Sequence, residues 1–253
     1  MIKIWKKVGQ TPFQLIEQVR RENPELAQET LSYAGRLDPM AEGEMIILVG
    51  KEENADRKRF LGFDKQYEAD IVFGFKTDTY DLLGLVTDFC GQEVLVDSFF
   101  VKHKTKINSI LRGFLKKKTQ KYPPYSSKTV GGNPLFEWVR AGKISEIKIP
   151  SRKISIRKFE VISVDFISAL ELWEYIEENV TAVVGDFRQD QIMEKWAEML
   201  AQKHNFFFPV LRVSFHVSSG TYIRGLANEI GEKLGVPACL MKLRRSKIYL
   251  DNV

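Results

Sequence analysis

The stretch Gly35-Arg36-Leu37-Asp38-Pro39-Met40-Ala41-Glu42-Gly43, followed by Glu44 and the apolar run Met45-Ile46-Ile47-Leu48-Val49, decides how this chain reads. Glycines and a proline punctuate a polar loop, and the apolar run behind it has the composition of a buried strand. Asp38 is therefore expected on a loop anchored in core structure. An aspartate in such a loop is, taken alone, an ordinary turn residue, because its side chain can bond nearby backbone amides. Its neighbours along the chain must say whether it is more.

Towards the N-terminus, a short stretch Ile2 to Val8 precedes Thr11-Pro12 with Gln14, which reads as a capping box opening a helix. Phe13, Ile16 and Val19 give that helix an apolar stripe, and Pro24 ends it. Towards the C-terminus, Tyr67, Ala69, Ile71, Phe73 and Phe75 alternate with Glu68, Asp70 and Val72, so a strand carries Tyr67 on its more apolar face. A tyrosine so placed is, by itself, an ordinary core residue. Residues 112 to 142 change character: Arg112, Lys116, Lys117, Lys118, Lys121 and Lys128 interleave with Tyr122, Pro123, Pro124 and Tyr125, and Gly131-Gly132 follow. The segment reads as a loop that combines phosphate-seeking cations with rings able to stack on bases; a merely solvated loop has the same composition.

Residues 168 to 204 read as two helices, the second with Ile192, Trp196, Met199 and Leu200 at packing spacing. Leu211, Val213, Phe215 and Val217 then alternate with Arg212, Ser214, His216 and Ser218, a half-buried strand on which His216 is expected to face solvent without a role. After Ser219-Gly220 a helix carries Ile223, Leu226, Ala227, Ile230 and Leu234 on its apolar face, and Gly235 with Pro237 stops it. Arg224 falls in its first turn, where a cation opposes the helix dipole. An anionic partner elsewhere would explain the placement.

Composition sets the outer limits. The chain has 253 residues, 44% of them hydrophobic, with a net charge of +5 and a pI near 9.0, which favours an anionic partner without naming it. Cys90 and Cys239 lie far apart among apolar neighbours and read as reduced thiols, and His103, His204 and His216 show no metal-ligand spacing. No apolar run approaches the roughly 20 residues that cross a bilayer, so a soluble, cytoplasmic protein with no metal is expected.

Four segments, in this order, resemble the signature of the tRNA pseudouridine-55 synthase (TruB-like) family. Gly35 to Gly43 is similar to the loop that carries its essential aspartate; Asp64-Lys65-Gln66-Tyr67, with Gly74, Thr77-Asp78-Thr79, Asp81 and Gly84, is similar to the motif that supplies a base-stacking tyrosine. Tyr125-Ser126-Ser127-Lys128 through Leu135-Phe136-Glu137-Trp138-Val139-Arg140 and Gly142 resembles a mobile thumb loop that closes over RNA, and Ser219-Gly220-Thr221-Tyr222-Ile223-Arg224 with Leu243-Arg244-Arg245 resembles the closing motif. The chain departs from the pattern where Lys7 replaces an opening proline, where Tyr33 replaces a histidine near the target nucleotide, and where the helices of 168–204 replace a short strand connection.

The resemblance implies a mixed α/β pseudouridine synthase fold: a largely antiparallel central sheet flanked by helices, with a thumb loop at about 112–142 and a helical insertion at about 168–204. It implies one catalytic domain over residues 1–253 without the C-terminal RNA-binding domain of many relatives. It implies isomerisation of a uridine, U55 in the T-arm of tRNA, with Asp38 catalytic, no cofactor and no obligate protein partner. Tyr67, Tyr222, Arg224, Leu243 and Tyr33 would then touch the substrate, and Lys116, Lys117, Lys118, Lys121, Lys128, Arg244 and Arg245, with Lys242 and Lys247, would hold RNA phosphates.

The residues suit that chemistry. The N1 to C1′ bond breaks, the uracil turns and C5 bonds to C1′, so no atom is gained or lost. One ionised carboxylate can attack the sugar or remove a sugar proton, two roles between which the sequence does not choose. Arg224 could keep Asp38 ionised by pairing with it. A non-catalytic RNA-binding or RNA-folding protein would not need Asp38, Tyr67 and Arg224 together. A glycoside hydrolase would need a second carboxylate beside Asp38, and the loop offers Glu42 and Glu44, both read as solvent-facing.

Overall fold

The computed structural model describes residues 1–90, 98–201, 203 and 206–250. The chain opens with β1 (Ile2–Lys6), helix α1 (Pro12–Glu22), β2 (Leu31–Ala34) and β3 (Ala41–Val49). Two short helices, α2 (Gly50–Ala55) and α3 (Arg57–Gly62), lead into β4 (Lys65–Phe73) and a hairpin of β5 (Phe75–Thr77) and β6 (Val86–Phe89). Then come α4 (Phe99–Phe114), β7 (Thr119–Lys121), β8 (Thr129–Val130), β9 (Asn133–Pro134), α5 (Leu135–Arg140) and β10 (Ser151–Lys153). The chain continues through β11 (Ile156–Ser168), α6 (Ala169–Thr181), α7 (Gln189–Leu200), β12 (Phe207–Val217), α8 (Ile223–Leu234) and β13 (Ala238–Ile248).

Among the described residues the main sheet has seven strands in the order β1-β3-β13-β4-β12-β11, with β2 also on β3. Every pairing in it is antiparallel except β3 with β13, so the largely antiparallel mixed sheet read from the sequence is the one found. One face buries Tyr67, Ala69, Ile71, Leu211, Val213 and Phe215 under α1, α4 and α8. The other buries Val72, Phe208, Val210 and Cys239 under α6 and α7, whose Leu172, Ile176, Ile192 and Trp196 are fully enclosed. Each such side chain contributes about 1.5–3 kcal/mol relative to exposure, so the helices of 168–204 are part of the core. Their apolar stripe is packing, as its spacing suggested.

Local rules explain the element ends and two corrections. Thr11 and Gln14 form both halves of the capping box at α1, and Gly235, at φ 80°, terminates α8 in the left-handed conformation a glycine accepts without strain. The buried stripe of α1 is Leu15 and Val19, whereas Phe13, expected on that stripe, is 69% exposed. Phe75 does not continue the Tyr67 face either. Gly74, at φ 108°, breaks the alternation and turns Phe75 into the second core against Trp196 and Phe208. Within the predicted thumb loop, residues 112–114 still belong to α4, and β7, β8, β9 and α5 give part of the remainder regular structure. His216 stacks on Tyr249 and faces Asp64 at 3.6 Å, so it does not simply face solvent. His204 lies outside the described residues; among the described residues no cluster of three or more His, Cys, Asp or Glu could hold a metal ion, and no helix is long and apolar enough to cross a membrane.

Candidate active site

The Asp38 loop is the connection from β2 to β3, and three contacts fix it. The amide of Ala41 donates to the Asp38 carbonyl at 3.0 Å, the amide of Gly9 donates to the Pro39 carbonyl at 3.0 Å, and Lys6 places its ammonium beneath the loop. Lys6 is 1% exposed and donates to the carbonyls of Ala41, Lys7 and Pro39 at 2.6, 3.0 and 3.2 Å. Burial pulls its pKa down to about 8, against a smaller opposing pull from Asp38. The far end of the loop is locked by the parallel pairing of β3 with β13. Gly43, at φ 131°, lies so close to the Arg245 backbone that a Cβ there would be 2.3 Å from its carbonyl oxygen.

Asp38 itself stays 35% exposed, and its Oδ2 lies 3.1 Å from Arg224 Nε. The contact is an ion pair without the alignment of a hydrogen bond. The Arg224 guanidinium, 5% exposed, is oriented by its other nitrogens: Nη1 donates to the Thr79 carbonyl and Nη2 to the Tyr125 carbonyl, both at 2.7 Å. Asp81 Oδ2 lies 4.0 Å from Nη1. The anionic partner that the arginine in the first turn of α8 called for is therefore a pair of carboxylates, one open and one closed. Asp81 is buried, accepts from Thr79 Oγ1 at 2.7 Å and from the Leu83 amide at 3.1 Å, and desolvation pushes its pKa up to about 6 although Arg224 opposes the shift.

Tyr222 immediately precedes α8, and its backbone is gripped twice by Gln120, whose amide group donates to the Tyr222 carbonyl and accepts from its N–H, each at 2.9 Å. Its ring faces Tyr122 at 5.8 Å and the Arg224 guanidinium at 5.7 Å, and burial, followed by the charge of Asp38, raises its pKa. Tyr67 is 8% and Leu243 7% exposed, both in the first core. Tyr33, on β2, accepts from Arg36 Nε at 3.1 Å and lies between Arg36 and Arg57, whose guanidinium carbons are 5.8 and 5.5 Å from its ring. Lys116, Lys118, Lys121 and Lys128 are exposed, whereas Lys117 pairs with Glu229 at 2.8 Å. Arg244 packs over Trp5 at 5.0 Å and approaches Glu68 at 4.0 Å.

Arg245 departs from the sequence reading. It is 1% exposed and donates through Nε to the Glu44 carbonyl at 2.6 Å, so it holds the Asp38 loop from below and presents no cation to a phosphate. Glu44 is likewise engaged, accepting from the Ile248 amide at 2.9 Å. The residues the sequence reading passed over are Lys6, Asp81, Gln120 and Arg188. Asp81 and Arg188 carried some signal: Asp81 stands in the second motif, and Arg188 is the lone arginine of an acidic segment.

Residues 24–176 match the family described as TruB family pseudouridylate synthase (N terminal domain). The chain is 30% identical over 243 residues to the tRNA pseudouridine synthase B of Aquifex aeolicus, covering 96% of this chain and 66% of that protein. It is also 30% identical over 244 residues to the tRNA pseudouridine synthase B of Chloroherpeton thalassium, covering 96% of this chain and 80% of that one. The chain thus spans slightly less than two thirds of the Aquifex relative. In fold it is similar to a chain of the crystal structure of a Cbf5-Nop10-Gar1 complex, with a TM-score of 0.55 at 17% identity over 98% of this chain and 48% of that one. With more than half of its length matched by the family and its fold shared with that chain, the protein belongs to the TruB family of pseudouridylate synthases.

Proposed function

We propose that this chain isomerises uridine to pseudouridine in tRNA, with U55 of the T-arm as the target and Asp38 as the catalytic carboxylate. The observation that carries the reading is the asymmetry around Arg224: one carboxylate, Asp38, is open to solvent, and the other, Asp81, is closed off. Only the open one can meet a sugar. The reaction needs an ionised carboxylate next to C1′ or C2′ of a nucleotide taken out of its stack. Extrusion costs a few kcal/mol, part of which a stacking ring recovers. Tyr67 and Tyr222 are the rings for that purpose, with Leu243 as pocket wall and Tyr33 at the entrance. The exposed lysines at positions 116, 118, 121 and 128 and Arg244 supply phosphate contacts that position the arm without reading its sequence. The reaction conserves every atom of the nucleotide, so the protein's own groups suffice for it.

The test is to incubate the purified chain with unmodified tRNA transcript and map pseudouridine along the product. The expected result is one new pseudouridine, at U55. Isomerisation at another uridine would move the target and keep the reaction, and no isomerisation at any position would overturn the reading.

A further inference from the structure

The segment between α6 and α7 contributes a residue that reaches the candidate site. Arg188, at the start of α7, has φ 65° and ψ 32°, a left-handed conformation that strains a residue with a side chain. From there Nη1 reaches Asp78 Oδ2 at 2.8 Å and the Tyr125 hydroxyl at 2.7 Å, Nη2 reaches Asp78 Oδ1 at 3.3 Å, and the guanidinium carbon lies 4.5 Å from the Tyr125 ring centre. Asp78 is the neighbour of Thr79. Thr79 and Tyr125 are the two residues whose carbonyls orient Arg224, one on the segment after β5 and the other at the root of the thumb. A second contact joins the same parts, since Arg140 of α5 donates to the Asp186 carbonyl at 3.0 Å.

We propose that Arg188 is a positioning residue: by clipping Asp78 to Tyr125 it fixes the spacing of the Thr79 and Tyr125 carbonyls, and through them the aim of Arg224 at Asp38. The helical pair α6 and α7 is then a brace for the site. Its surface supports that role over RNA reading: residues 169–201 carry eight acidic side chains, all exposed, against two basic ones, and such a face repels phosphate. Backbone strain at a side-chain-bearing residue persists where the surroundings hold it, and here the guanidinium contacts hold it.

The proposal rests on the isomerase reading for its catalytic consequence, and its test separates the two. Arg188→Asn suits the left-handed backbone and removes the clip; Arg188→Lys keeps the charge without the fork. For wild type and both variants, kcat and KM on tRNA transcript, the thermal midpoint and the 15N relaxation of the Arg224 Nε–H group would be measured. We expect Arg188→Asn to fold with a midpoint close to wild type, to lose about 10- to 100-fold in kcat with KM within about twofold, and to show a more mobile Arg224 Nε–H. Arg188→Lys should fall between. Unchanged kcat in the folded variants, or an Arg224 Nε–H as ordered as in wild type, overturns the proposal. A large drop in midpoint with full kcat in the folded fraction assigns Arg188 to stability alone and overturns it too. If wild type forms no pseudouridine, the isomerase reading fails, and the relaxation of Arg224 alone decides whether the clip exists.

Discussion

Lys6 donates its buried ammonium to the carbonyl of Ala41 at 2.6 Å, so the floor of the Asp38 loop is a cation that water does not reach. Its pKa is about 8 in the folded chain against an ordinary value of 10.5. Between those values the unfolded chain holds the proton more tightly, so the Lys6 contribution to stability rises with pH across that window and is lost again as pH falls through 8. Lys6→Met should cost about 1–3 kcal/mol at pH 7, because three loop carbonyls lose their donor. The deficit relative to wild type should widen from pH 8 towards pH 10. Denaturant unfolding of both proteins across that range checks it, and a pH-independent difference would show that Lys6 folds without the shift.

Two glycines bracket the same loop and should respond in opposite degrees. An alanine Cβ at Gly43 would collide with the Arg245 backbone at 2.3 to 2.8 Å, whereas at Gly35, φ 85°, its nearest neighbour is an arginine nitrogen at 3.9 Å. Gly43→Ala must push β3 from β13 and should cost more than about 3 kcal/mol; Gly35→Ala meets only backbone strain and should cost about 1 kcal/mol. Equal losses in thermal unfolding would mean that the strand contact yields.

What was legible in the chain follows from the range of the interaction behind it. The capping box of α1 and the glycine stop of α8 depend on neighbours a few residues apart and read directly. The unsatisfied cation in the first turn of α8 was also local, and it pointed correctly to an anion. The identity of that anion was not local: Asp38 and Asp81, the carboxylates that face Arg224, lie on loops far back in the chain. Arg245 shows a signal overlooked, since strand alternation from buried Leu243 puts it on the inner side and leaves Arg244 outside. Phe13 shows the converse limit. Apolar spacing identifies a stripe, but Leu15 takes the inner position because tertiary packing chooses among adjacent apolar residues.

Asp81 provides a second pH test, of opposite sign. Burial raises its pKa to about 6 from an ordinary 3.8, so the folded chain holds the proton more tightly between those values. Its contribution to stability is fully present below pH 3.8 and is lost as pH rises through 6. Asp81→Asn keeps an oxygen for Thr79 and Leu83 and carries no charge to desolvate. The stability difference between wild type and the variant should therefore shift against wild type as pH goes from 4 to 6.5, read by unfolding at matched pH. A difference constant over that interval would place the Asp81 titration elsewhere.

The basic loop should divide by partner. Neutralising Lys116 or Lys118, both exposed, should flatten the salt dependence of tRNA binding by up to about one unit of slope per lost phosphate contact. Lys117 is already paired with Glu229 at 2.8 Å, so Lys117→Ala should change the slope less. Filter-binding or fluorescence titrations at several salt concentrations give the slopes, and equal effects at all three positions would show that the Glu229 pair opens in the complex.

Asp38 and Arg224 should separate chemistry from architecture. Asp38→Asn removes the nucleophile or base from a side chain that is 35% exposed, keeps its volume and leaves Arg224 with Asp81, Thr79 and Tyr125. Turnover should fall by at least about 100-fold, with stability changed by less than about 1 kcal/mol and tRNA affinity within about twofold. Arg224 is different because it is 5% exposed, donates to two carbonyls and forms ion pairs with two carboxylates at once. Arg224→Lys keeps a charge but has no planar fork, so one ammonium cannot meet partners set around a guanidinium, and buried Asp81 loses part of its compensation. That variant should lose both turnover and stability, the latter by about 2–4 kcal/mol. The measurement is single-turnover pseudouridine formation alongside denaturant unfolding for the two variants. Substantial turnover by Asp38→Asn would remove Asp38 from the chemistry, and an Arg224→Lys variant as stable as wild type would show that charge alone, without the fork, holds the site together.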